Sequence, residues 1–257
     1  MNESYQYNYS ENIESINSMY DQDSRVKKAK KTLSVLSDYF GNISNLKLLD
    51  IGASTGIMTN EYAKYFKNVV GIDIDAKAIK YAKNNFNREN LEFIASPIEE
   101  SNLDNASFDV VTCSHIYEHV PSAEVLLENL FEVLKPGGVC YFAAGNRFQI
   151  IETHYRLPFL SYFPKKIANK YISLFTSHDE YYENLKSYRN LKKLVKKFEV
   201  VDYTIKIIRN PSKYSADDML NENTVKYYFV NFLATLGYFF IPTYVWILKK
   251  PFKEDHV

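Results

Sequence analysis

Cysteine is scarce in this chain. Its two copies, Cys113 and Cys140, both lie inside apolar stretches. That leaves no disulfide framework and no cysteine-based metal cluster, only small buried thiols. Net charge is lacking too: 31 basic residues balance 31 acidic ones. No global field gathers phosphate backbones, so nucleic acid is not an expected partner, and a small or uncharged substrate fits better. The stretch Met1 to Ser18 has neither the basic start nor the apolar run of a secretory signal, which points to a cytoplasmic protein. There is no internal repeat and no low-complexity tract.

What is present is an alternation. Short apolar runs at Leu46 to Ile51, Val69 to Ile72, Leu91 to Ala95, Phe108 to Thr112 and Val139 to Ala144 are separated by segments of helical period. This predicts a parallel sheet covered by helices on both faces, in one domain at this length. A basic run at Lys27 to Lys31 precedes Leu33, Leu36 and Phe40, the pattern of an amphipathic helix. The clearest helix carries Val125, Leu126, Leu130, Val133 and Leu134, and Lys135-Pro136-Gly137-Gly138 stops it. After Asn146 the pattern breaks: Arg147 to Glu183 is aromatic-rich and without a strand signature, as in an inserted cap. Leu185 to Phe198 resumes helical periodicity, Val200 to Ile208 alternates like a strand, and Thr243 to Leu248 closes the sheet.

The segment Asp50-Ile51-Gly52-Ala53-Ser54-Thr55-Gly56 runs from an apolar strand through small residues into a helix, so a ligand can approach its backbone closely. Gly52 and Gly56 stand four apart, which is not the dinucleotide fingerprint and disfavours a nicotinamide dehydrogenase. Gly71-Ile72-Asp73-Ile74-Asp75 ends the second strand with a carboxylate 17 residues after Gly56, where it can accept hydrogen bonds from two ribose hydroxyls. The alternative for Asp73 is a helix N-cap.

Taken with Ser107-Phe108-Asp109-Val110-Val111, Glu118-His119-Val120 and Leu134-Lys135-Pro136-Gly137-Gly138, these motifs resemble the core of class I S-adenosylmethionine-dependent methyltransferases, of the type 11 kind, over roughly Leu46 to Asn146. The resemblance implies a Rossmann-like, seven-stranded, mostly parallel sheet with helices on both faces and a helical, aromatic cap. Residues 1–45 would form an N-terminal helical segment, 46–146 the cofactor-binding core, 147–183 the cap and 184–257 the C-terminal part of the sheet. S-adenosylmethionine would be the cofactor and S-adenosylhomocysteine the product. Asp50 and the loop of Gly52, Ala53, Ser54 and Gly56 would wrap the methionine part, and Asp73 would hold the ribose. Ile74 would pack on the adenine, while Ser114 and His115 would floor the pocket. Arg25 or Tyr20 would reach the methionine carboxylate. Two positions depart from the pattern. Ser54 replaces a glycine, and Pro97 stands where many relatives place an aspartate that reads the adenine amine, leaving Ile98 backbone and apolar contacts for that task.

Within the cap, Glu152-Thr153-His154 follows the fifth strand, where it would overlook the transferred methyl group. His154 is the candidate base for a hydroxyl proton and Glu152 its orienting partner; the alternative is that both only hydrogen-bond the cap. His115-Ile116-Tyr117-Glu118-His119 matches an H-x-x-E-H zinc pattern, which needs one continuous helix. Pro121 leaves too little helix and no third ligand is evident, so no metal is expected. Tyr227 to Leu248 has no charged residue; a buried helix followed by a strand, a helix on a membrane through about 225–250 with Lys249, Lys250 and Lys253 beside it, and a true span are the alternatives. The expected reaction is methyl transfer to a small-molecule, glycan or lipid-linked hydroxyl. The alternative is a non-catalytic, methyltransferase-like partner subunit. The oligomeric state is not encoded in these patterns.

Overall fold

The computed structural model describes residues 19–176 and 178–252, with Leu233 and Leu236 described by backbone alone. Met1 to Ser18 and Lys253 therefore lie outside the described residues. Seven strands form one sheet: β1 (Lys47–Ile51), β2 (Asn68–Asp73), β3 (Leu91–Ala95), β4 (Phe108–Ser114), β5 (Leu134–Gly145), β6 (Glu199–Asp202) and β7 (Thr243–Lys249). Their spatial order is β3-β2-β1-β4-β5-β7-β6. The first five pair in parallel, and β7 runs antiparallel to both β5 and β6. The chain thus reverses its winding between β1 and β4, the crevice where open α/β sheets bind ligands.

The helices are α1 (Gln22–Phe40), α2 (Ile57–Tyr62), α3 (Ala76–Asn85), α4 (Ala123–Val133), α5 (Lys165–Phe175), α6 (Tyr188–Leu194), α7 (Thr204–Arg209) and α8 (Val225–Leu236). Each buried strand feeds two cores, because successive side chains point to opposite faces. Leu49, Val111, Cys140 and Trp246 join Leu126, Leu130 and Leu191 of α4 and α6 on one face. Their neighbours Leu48, Val110, Val139 and Ile247 join Leu33 and Leu36 of α1 on the other. Both cysteines are free thiols in this interior.

Local sequence explains the helix starts. Asp21 accepts from the Ser24 amide at α1, and Ser122 Oγ accepts from the Val125 amide at α4. Such caps satisfy amides that the helix itself leaves open. Three expectations need correction. The strand expected over Val200 to Ile208 ends at Asp202, whose Oδ1 accepts the Thr204 amide at 2.8 Å and turns the chain into α7. The apolar stretch from Tyr227 begins within α8, but that helix is not buried: Tyr228, Phe229 and Phe232 are exposed by 68%, 59% and 62%. Nor does it span a bilayer, since no helix among the described residues is long and apolar enough. Its 12 residues reach roughly 18 Å against a hydrocarbon core of about 30 Å. The strand expected over Thr243 to Leu248 is present, but it lies between β5 and β6 and leaves β6 at the edge of the sheet.

Candidate active site

The site begins where β1 runs into α2. Gly52 and Gly56 both adopt left-handed backbone, at φ +77° and +76°. A Cβ on Gly52 would stand 2.2 Å from the Ile116 Cδ1, and one on Gly56 would stand 2.6 Å from the Ala82 Cβ. Conformation and space both demand glycine there. Ser54 keeps the same left-handed region at φ +52°, so this serine does locally what glycine does elsewhere, at a cost of about 1 kcal/mol. Its Oγ is buried and has no hydrogen-bond partner. The loop is fastened to β2: the Gly52 and Ala53 amides both donate to the Ile72 carbonyl, and the Ser54 amide donates to Asp73 Oδ2 at 2.8 Å. The Thr55 hydroxyl donates to the Met19 carbonyl, which brings the start of the described chain onto the loop.

The two strand-end acids divide their duties. Asp75 is the N-cap of α3, accepting from the Lys77 and Ala78 amides, so the cap alternative for Asp73 is set aside. Asp73 accepts one amide on each oxygen, from Ser54 and from Asp75, and each oxygen keeps a lone pair for a further donor. Burial raises its pKa above the ordinary carboxylate range, against the pull of those amides. Asp50, deeper in β1, accepts the hydroxyls of Thr112 and Thr59, each at 2.6 Å. Burial pushes its pKa up to about 6; the two threonines and the charge of Arg25 oppose that rise, and the charge of Asp73 adds to it. Arg25, on the first turns of α1, is thus electrostatically coupled to the strand end. Tyr20 lies edge-on to Tyr81 of α3 at 4.8 Å.

At the end of β4, Ser114 pairs with Ala143, and His115 turns the chain at φ +57° while its amide donates to the Ala143 carbonyl. Ile74, Ser114 and His115 are half-buried, and Ile98 is buried in a short 3-10 turn after Pro97. These sites therefore share the C-terminal edge of the sheet with the glycine loop.

Above that edge the chain gathers ionisable groups from distant segments. His115 Nδ1 is 3.0 Å from Glu118 Oε1. His119 Nδ1 is 2.7 Å from Glu183 Oε2, and its ring meets the His154 ring edge-on with centroids 5.1 Å apart. Glu152 does not orient the His154 imidazole: its Oε2 accepts the backbone amides of His154 and Tyr155, both at 2.8 Å. Burial and then the charge of Glu183 raise Glu152 to about 7, against those two amides. Burial alone would lower His119, but Glu183 prevails and lifts it above its ordinary value. His154 moves the other way, lowered first by lost solvation at its ring and further by the charge of His119. Glu183 was not singled out in the sequence, and Glu118 and His119 entered as one motif of the resemblance and in the rejected zinc pattern, without a role of their own. The signal that could have found them is three ionisable residues in five, His115, Glu118 and His119, at the end of a strand.

This topology, with a glycine loop and an acid at neighbouring strand ends, defines a class I methyltransferase fold. Residues 49–142 match the family model of a methyltransferase domain. Ubiquinone biosynthesis O-methyltransferases are among its relatives. The Coxiella burnetii protein is 32% identical over 102 residues, covering 39% of this chain and 44% of that protein. The Acinetobacter baylyi protein is 30% identical over 138 residues, covering 50% of this chain and 58% of that protein. The chain thus spans about half the length of these curated relatives. Among solved structures, the plantazolicin methyltransferase BpumL, in complex with a triazolic desmethylPZN analog and S-adenosylhomocysteine, superposes with a TM-score of 0.60 at 18% identity, covering 92% of this chain and 89% of that one. The [4+2]-cyclase SpnF superposes with 0.53 at 12% identity, over 87% of this chain and 81% of that one. The same fold therefore serves more than one chemistry, and function must be argued from the site.

Proposed function

We propose that the protein transfers a methyl group from S-adenosylmethionine to a hydroxyl oxygen of a small-molecule, glycan or lipid-linked acceptor. One observation carries this reading: a cluster of imidazoles and buried carboxylates faces the same sheet edge as the glycine loop. The loop fits the cofactor, because Asp73 keeps lone pairs for ribose hydroxyls and Gly52 lets a ligand pass close to the backbone. When bound, the cofactor supplies an electrophilic methyl group. Asp50, Gly52, Ala53, Ser54 and Gly56 hold its methionine end, and Arg25, whose charge acts on Asp50, answers the carboxylate. Ile74, Pro97 and Ile98 surround the adenine.

On the acceptor side His154 is the group that takes the hydroxyl proton. His119, ion-paired with Glu183, keeps a second imidazole beside it. Alignment and exclusion of water then lower the barrier by several kcal/mol without a covalent step. A lipid-linked acceptor is favoured by a further feature. Phe239 and Phe240, exposed by 52% and 58%, precede β7 beside Asn146, whose side chain donates to the Phe239 and Ile241 carbonyls. Apolar surface at the end of β5, with the exposed Tyr228, Phe229 and Phe232 of α8, suits an amphiphile or a membrane surface.

Calorimetric titration with S-adenosylhomocysteine tests the cofactor half of the proposal, with Asp73→Ala as control. Micromolar binding lost in the variant is expected. Absence of binding by folded protein would favour the non-catalytic partner subunit, a reading that the unpartnered Ser54 hydroxyl and Pro97 keep in view.

A further inference from the structure

We infer that Glu118, His119 and His154 form a site for a divalent cation of the zinc or iron class, between the β4 end and the 147–183 segment. One ligand atom of each residue lies within 4.8 Å of the others. An ion with bonds of about 2.0–2.2 Å draws its ligand atoms to roughly 3–4 Å apart, so side-chain movements of about an ångström or less complete the site. Two imidazoles and a carboxylate are a ligand set for zinc or iron that leaves positions open.

Three independent features point to a cation. Glu118 is 1% exposed, and while Oε1 faces His115, its buried Oε2 has no hydrogen-bond partner. Glu183 Oε2 lies 2.7 Å from His119 Nδ1 without an aligned hydrogen bond, so both atoms stay buried and unsatisfied beside the three ligands. Glu152, fully buried, spends Oε2 on two amides and leaves Oε1 without a partner. Three buried carboxylates around two imidazoles form a concentration of negative charge that a dication offsets.

The arrangement differs from the H-x-x-E-H zinc pattern. His115 turns in left-handed backbone instead of sitting on a helix, and the second imidazole comes from residue 154. The third ligand that the sequence lacks nearby is supplied by the fold. The existence of the site does not depend on the methyl-transfer reading. Its role rests on that reading: with the ion bound, His154 is a ligand instead of the base, and the ion holds the acceptor hydroxyl oxygen at an open position and lowers its pKa, so that the proton leaves to water.

The test uses the full chain, stripped with chelator and dialysed, then titrated with Zn2+ and Mn2+ by calorimetry and with Co2+ by visible absorption. The expected result is a single saturable equivalent, weakened by at least about 100-fold in His154→Ala and in Glu118→Gln. Since His154 is exposed, its variant keeps the fold even if the buried Glu118 variant does not. S-adenosylhomocysteine is titrated into the same samples and should bind His154→Ala as it binds the parent chain. Absence of saturable metal binding, or binding that His154→Ala leaves unchanged, overturns the site and leaves the cluster as a proton-only network. Metal binding without S-adenosylhomocysteine binding keeps the site and removes the methyl-transfer reading.

Discussion

Asp50 is a charge that the fold holds at its own expense, and replacing it with asparagine measures that expense. It is 6% exposed, and its two polar partners are the hydroxyls of Thr59 and Thr112. Its pKa rises from the ordinary 3.8 to about 6 in the folded chain. The folded state therefore binds the proton more tightly than the unfolded state. The linked stabilisation is fully present below pH 3.8 and is lost as pH rises through about 6. At about 1.36 kcal/mol per tenfold change in acidity, the displacement corresponds to at most roughly 3 kcal/mol against the ionised form at pH 7.5. Asparagine has the same shape, and either threonine hydroxyl can rotate to accept from its amide. Asp50→Asn should thus gain up to about 3 kcal/mol at pH 7.5, a rise in Tm of several degrees for a chain of this size. The gain should shrink toward zero as pH falls from 6 to 4. Urea unfolding at pH 7.5 and 4.5 reads both numbers. A variant that is no more stable at pH 7.5, or equally improved at both pH values, refutes the argument that burial of charge dominates at this residue. If the carboxylate is retained for the cationic cofactor, the stabilised variant should also bind S-adenosylmethionine more weakly, the usual exchange of stability for function.

Asp73→Ala should abolish measurable S-adenosylhomocysteine binding and lower stability slightly, since the Ser54 and Asp75 amides lose their acceptor; calorimetry and thermal unfolding together check this. His154→Ala should reduce turnover by about 100-fold or more with cofactor affinity unchanged, and full activity in a coupled transfer assay would return this histidine to a structural part. Gly52→Ala should lose 1–3 kcal/mol or so and cofactor binding with it, because its Cβ meets Ile116; the added change Ile116→Ala should recover part of the stability but not the backbone strain. Replacing Phe229 and Phe232 with serine should leave thermal stability within about 0.5 kcal/mol while reducing cosedimentation with anionic lipid vesicles, and unchanged cosedimentation would remove the lipid-surface reading.

The sequence by itself determined the sheet and the loop. Alternation of apolar runs with helical period encodes the parallel strands, since one-sided and two-sided burial leave different periods in the chain. Gly52, Gly56 and Asp73 were legible for a similar reason: a tight turn and a strand-end carboxylate need particular residues at short, fixed spacing. Short-range geometry also set a limit. Which of Asp73 and Asp75 caps α3 depends on where the helix starts, and the sequence alone does not fix that to the residue. The chain signalled apolar content in Tyr227 to Leu248 but not that α8 would present its aromatic rings outward, because exposure depends on what other elements leave uncovered. The His–Glu cluster was the least visible feature. His119, His154 and Glu183 are separated by tens of residues and meet only because β5 delivers the 147–183 segment back over the end of β4. No local period records that convergence. It follows from strand register and loop packing, which only the tertiary structure decides.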